Sequence, residues 1–171
     1  MKYETSEDQK AINGVIFTLI QKSLLSNKSP QRRSMTLVSE NQLSMAMLAG
    51  GSDKQSAIVS ADLFEQLTES SSRPGVLDRR EMPGIGLDIK IVDLPANGLS
   101  GDSWLKFENA FPGAGGYYAF SPIAVNKTRD KAAVLIAYYC PAFCGGFGGL
   151  ATFSKTNSHW QADGLEKYWS N

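Results

Sequence analysis

The chain has 171 residues, 42% of them apolar and 20% charged, and its 17 basic side chains are matched by 17 acidic ones. That composition excludes a disordered chain, a collagen-like repeat and a membrane-spanning bundle, and the length suits a single domain over residues 1–171 with a core of its own. Zero net charge and a pI near 6.6 argue against nucleic-acid and anionic-membrane binding, both of which need a basic excess.

The first ten residues, MKYETSEDQK, are polar and mixed in charge, so they read as neither signal nor transit peptide. They are equally consistent with a native start and with one left after a leader is removed. Ser6 and Gln9 have the spacing of a capping box. Apolar residues then fall at Ala11, Ile12, Val15, Ile16, Leu19, Ile20 and Leu24, which predicts an amphipathic helix over Glu7 to Leu25. The polar run Ser26 to Ser34, with Pro30, ends it.

Met35 to Ser39 reads as a strand, and Leu43 to Leu48 is ambiguous between strand and short helix. Ser60 is placed to cap a helix with Asp62 in its first turn and Leu63, Phe64 and Leu67 inside. Leu87 to Leu94 alternates apolar and polar residues and predicts a half-buried strand. Trp104, Phe107 and Phe111 share one face of a short helix that Pro112-Gly113 stops.

Fourteen of the 17 aromatic residues lie between Trp104 and Trp169. There the pattern becomes a meander, with strands expected at Tyr117 to Val125, Lys131 to Cys140, Phe147 to Lys155 and His159 to Asp163. Such short connections make these strands antiparallel neighbours. The fold class expected is α+β, with the N-terminal amphipathic helix and short helices packed on one face of an antiparallel sheet.

The segment Tyr138 to Gly149 (YYCPAFCGGFGG) is the most informative stretch. Structural zinc needs four Cys or His ligands, and only His159 is available beyond Cys140 and Cys144, so no metal is expected. A thioredoxin-like pair wants two intervening residues and a following helix, whereas here there are three, and glycines follow. A Cys144 nucleophile with His159 as base is a further reading. The favoured one is a Cys140–Cys144 disulfide closing a tight loop turned by Pro141. Two reduced thiols in the cytoplasm remain the alternative.

Gly84-x-Gly86 precedes a strand, and Pro112 to Gly116 lacks a Lys-Ser/Thr sequel, so neither is a nucleotide-binding loop. No cofactor is expected. Arg32-Arg33 and Arg79-Arg80 are isolated doublets, and the sequons at Asn27 and Asn126 are short patterns with a high chance rate.

The run from Phe111 to Trp160 resembles the tail of uncharacterised bacterial extracytoplasmic or lipoprotein-type proteins. The resemblance is carried by Phe111-Pro112-Gly113, Ser121 to Asn126, Ala132 to Gly149, Lys155 and Trp160. It covers about a third of the chain and implies a periplasmic or envelope location, without an activity or a catalytic residue. The helix-first, sheet-last order is also similar in architecture to the nuclear transport factor 2-like group.

Two functions follow as expectations. The first is a non-enzymatic extracytoplasmic binding protein, such as an immunity or inhibitor protein that holds a toxin or hydrolase. Phe143, Phe147, Tyr138 and Tyr139 would serve as its contact residues and a protein as its partner. The second is a small pocket-containing enzyme or ligand carrier, with Tyr117, Tyr118, Tyr138 and Tyr139 lining the pocket and Asp88 as base.

Overall fold

The computed structural model describes residues 6–26, 36–39, 43, 59–71, 89–96, 98–141 and 144–170. Its elements are α1 (Glu7–Ser26), β1 (Thr36–Ser39), α2 (Ala61–Ser71), β2 (Ile89–Val92), α3 (Ser103–Ala110), β3 (Tyr117–Phe120), β4 (Ala124–Val125), β5 (Lys131–Tyr139), β6 (Phe147–Thr156) and β7 (His159–Ser170). The fold is α+β, with helices packed on a sheet, as the sequence predicts. Residues 44–48, the sequence around Gly84, Gly86 and Asp88, both arginine doublets, Asn27 and Phe143 lie outside the described residues.

The starts of α1 and α2 carry the local side-chain bonds their sequences offer, whereas α3 starts at Asp102 without a side-chain cap. The Ser6 N–H donates to Gln9 Oε1 at 2.9 Å and the Gln9 N–H to Ser6 Oγ at 3.3 Å, the two halves of the capping box. Ser60 Oγ donates to Asp62 Oδ1 at 2.6 Å at the start of α2. Burial refines the α1 stripe. Ile12, Ile16, Phe17 and Ile20 are buried, whereas Ala11 and Leu19 are exposed. Phe17 enters the core because it meets Phe120 edge-on at 6.3 Å. Burying four such side chains stabilises the fold by about 1.5–3 kcal/mol each.

The strand order is β2-β1-β3-β5-β6-β7, with β4 also on β5. From β3 through β7 the pairing is antiparallel, the expected meander. β1 runs parallel to both β2 and β3, an arrangement the short-loop argument did not reach. Parallel neighbours need long crossovers, and the β1–β2 and β2–β3 connections contain α2 and α3 respectively.

Those crossovers correct the expectation that helices cover one sheet face. The side chains of Tyr118, Phe120, Ala132, Val134 and Phe153 pack with α1. Ala119, Ala133, Leu135, Ala137 and Leu150 pack with Leu63 and Leu67 of α2, and Tyr117 packs with Phe107 of α3. Alternate residues of one strand thus meet helices on opposite sides. This explains why residues 132–135 of β5 form a continuously buried apolar run.

The strand expected over Tyr117 to Val125 is broken in two. Pro122 has no N–H for a ladder bond. Ser121 bridges the gap: its N–H donates to Leu135 O at 3.0 Å, its Oγ accepts the Leu135 N–H at 2.9 Å, and its hydroxyl donates to Pro122 O. β7 in turn extends to Ser170 rather than stopping at Asp163. Register shifts at Thr152/Phe153 and Gly148/Gly149 disrupt its alternation, so a period-two reading loses the strand there.

Candidate functional site

The Cys/Gly loop joins β5 to β6 at one end of the sheet. Cys140 and Cys144 stand at disulfide distance, with their Cα atoms 6.1 Å apart. Glycines let the surrounding backbones close in. A Cβ on Gly116 would overlap the Tyr139 carbonyl oxygen and lie 2.9 Å from Cys140 Cβ. One on Gly146 would lie 3.0 Å from Tyr138 O and 3.7 Å from Cys140 Sγ. Gly145 has φ +79°, a left-handed turn conformation that suits glycine.

The sheet divides the expected contact residues. Tyr138 and Phe147 are register partners on the α1 side, with ring centroids 6.3 Å apart. Tyr118 packs at a tilt against Tyr138, ring centroids 4.7 Å apart, and Lys167 Nζ sits 5.5 Å from the Phe147 ring centroid. Tyr139 points the other way, 5.4 Å from Tyr117 and 5.6 Å from Trp169. Successive residues of a strand face opposite sides, so Tyr138 and Tyr139 cannot share one face. Tyr138, Tyr139, Phe147 and Trp169 are all half-buried, each ring shared between core and surface. Trp169 escaped the sequence reading because the strand that carries it was expected to end six residues earlier.

His159 is remote from both sulfurs. It pairs with Thr156 at the far end of β6, whose Phe147 end adjoins the loop. Nine strand residues span roughly 30 Å. Its Nδ1 lies 2.8 Å from Asn157 O and donates there, at the tip of the β6–β7 hairpin. The geometry therefore does not assemble a Cys144–His159 pair.

The most heavily partnered polar group is one the sequence reading did not single out. Asp8, 5% exposed, accepts Lys155 Nζ at 2.8 Å and Trp160 Nε1 at 3.1 Å on Oδ1, and Arg129 Nε at 2.6 Å on Oδ2. The Lys155 hydrogen bond, with those of Trp160 and Arg129, outweighs burial and brings its pKa down from 3.8 to about 2. A carboxylate with every lone-pair direction engaged by cations and an indole is a clamp, not a base. The capping box pointed to its helix, but nothing local in the sequence links Asp8 to Lys155.

Asn126 is likewise buried and occupied. Its Nδ2 donates to Thr128 Oγ1 and Asp130 Oδ1, both at 2.8 Å, and its Oδ1 accepts the Asp130 and Lys131 N–H groups. The sequon at Asn126 is thus a folded turn whose amide nitrogen is already used. Pro112 to Gly116 follows α3 instead of preceding a helix, with Gly113 at φ +88°. On the α2/α3 side the Tyr117 hydroxyl donates to Pro95 O at 2.6 Å, and burial, then Tyr139, pushes its pKa well up.

Among the described residues no group of three or more His, Cys, Asp or Glu converges on a metal position, and no helix is long and apolar enough to cross a membrane. Compared with family models, curated proteins and solved structures, the chain matches none.

Proposed function

We propose that this chain is a non-enzymatic binding protein acting in the periplasm or cell envelope, of the kind that docks on a toxin or hydrolase and holds it inactive. The reading rests on one observation, the Cys140–Cys144 pair closing a loop flanked on both sheet faces by half-buried aromatic rings. Aromatic side chains supply large, rigid contact area, and a closed loop loses little freedom on docking. Cysteines at bonding distance favour an oxidising compartment, because cytosolic thiols are kept reduced. The strongly shifted groups support binding over chemistry. Asp8 is saturated by its partners, and the Tyr117 hydroxyl is committed to Pro95.

The test is affinity capture from an envelope extract of the native host, using immobilised wild-type chain and a Tyr139→Ala/Trp169→Ala variant checked for folding. The expected result is a specific protein retained by the wild type and lost from the variant. Identical retention by both would remove the loop end as the docking site.

A further inference from the structure

We propose that the Cys140–Cys144 bridge is a thiol–disulfide exchange site, opened and closed on the folded chain by dithiols, with Cys144 as the sulfur that is attacked. The two cysteines stand at disulfide distance, four positions apart in the chain. Each is half-buried, so neither is sealed from a solute. Exchange depends on the pair and its setting alone, not on what docks at the loop end.

The bridge joins nothing that the backbone has not already joined. β5 and β6 pair without interruption from Lys131–Ser154 to Tyr138–Phe147, and the cysteines lie in the connection just beyond that last pair. A loop this short takes little entropy from the unfolded chain, so the bridge adds little to the stability of the fold. Coupling is reciprocal: a fold that gains little from the bridge holds the bridge closed only weakly. The pair therefore opens without unfolding the ladder behind it.

The surroundings of the two residues differ. A Cβ on Gly116 would lie 2.9 Å from Cys140 Cβ, and one on Gly146 would lie 3.7 Å from Cys140 Sγ and 3.6 Å from Trp169 Cζ3. Two glycine backbones and the Trp169 indole thus close round Cys140, and Gly146 is itself buried. Cys144 stands on the open side. Gly145 follows it, exposed, and a side chain there would meet nothing within 4 Å. An incoming thiolate and the adduct it leaves find room at Cys144 and not at Cys140.

One thiolate of the dithiol attacks Cys144 Sγ, and the S–S bond breaks with its electron pair passing to Cys140 Sγ, which takes a proton. The second thiol then attacks its own partner sulfur in the mixed disulfide and releases Cys144 as a thiol. The dithiol is oxidised to a disulfide, and the bridge is reduced to two thiols.

The test uses the air-oxidised full chain under native conditions, with dithiothreitol as the dithiol and circular dichroism to follow the fold. Two thiols are expected to appear while the spectrum and a cooperative melt persist. In single-cysteine variants, the Cys144 left by Cys140→Ser should take up glutathione from oxidised glutathione at least about tenfold faster than the Cys140 left by Cys144→Ser. The two rates should converge in denaturant, where the packing round Cys140 is gone. Should either variant fail to fold, brief exposure of the oxidised wild type to reduced glutathione, quenched in acid, reads the same preference from the trapped mixed disulfide by mass spectrometry. A pair that does not close in air, thiols released only where the chain unfolds, or a Cys140 as reactive as Cys144 would overturn the proposal.

Discussion

Trp160 and Asp8, 152 residues apart in the chain, meet through a 3.1 Å hydrogen bond from the indole Nε1 to a carboxylate oxygen. That bond and the one from Lys155 fix the first turn of α1 to the last hairpin of the sheet, and Arg129 ties the same carboxylate to the β4–β5 turn. The Asp8 pKa is lower folded than unfolded, so its contribution is fully present above about pH 4. It is lost as pH falls through about 2. Asp8→Asn should lower stability at neutral pH by about 1–3 kcal/mol and flatten the acid limb of the profile. Denaturant titrations of both proteins between pH 2 and pH 7, roughly the span over which carboxylates change charge, check this. An unchanged acid limb in the variant would contradict it.

Tyr117→Phe keeps the ring contacts with Phe107 and Tyr139 but strands the Pro95 carbonyl. A loss of about 1 kcal/mol is expected from chemical denaturation. Alkaline difference spectroscopy should show one tyrosine fewer titrating late, because burial holds the Tyr117 hydroxyl protonated beyond the ordinary range.

Gly149→Ala should be far more damaging than Gly145→Ala in melting experiments, although both glycines adjoin the same loop. A Cβ at Gly149 would collide with the Glu166 carbonyl oxygen of β7, whereas one at Gly145 meets open space and has only its left-handed backbone to oppose it. Overpacking against rigid backbone costs about 1–3 kcal/mol, against roughly 1 kcal/mol for the strained φ alone.

For the cysteines, Cys140→Ser should lower stability modestly without preventing folding. A loop this short gains at most the roughly 3 kcal/mol expected for 15 residues. Thiol titration of protein taken from its own host and denatured without reductant should find no free thiol. Two free thiols would sink both the bridge and the extracytoplasmic location.

Phe147→Ala should cost less than the about 3–5 kcal/mol typical of a core phenylalanine, because its ring is half-buried beneath Lys167. A full core penalty in thermal melts would place the ring inside and withdraw it as a contact residue.

The sequence was most legible where the determinants are local. The Ser6–Gln9 box, the Ser60 helix start and the short meander loops are set by neighbours within a few residues, and each stands where the pattern puts it. What the pattern missed depends on distant partners. β1 pairs in parallel with strands more than fifty residues onward, which no local spacing encodes. Trp169 was hidden by the two register shifts in β7, and Asp8 by partners at the opposite end of the chain. The site residues Tyr138 and Tyr139 were rightly placed on a strand, yet adjacency in sequence puts their rings on opposite faces.

The Asp8 clamp also imposes a schedule on synthesis. α1 leaves the ribosome well ahead of two of the residues that hold its first turn, since Lys155 and Trp160 follow Asp8 by 147 and 152 residues. At about 5–20 residues per second, the apolar stripe of α1 waits roughly 8–30 s for them. The clamp on α1 therefore closes only after the last hairpin of the sheet has emerged. The nascent chain must be kept from aggregating until β7 is complete, a requirement shared by any chain that is delivered unfolded before it acts.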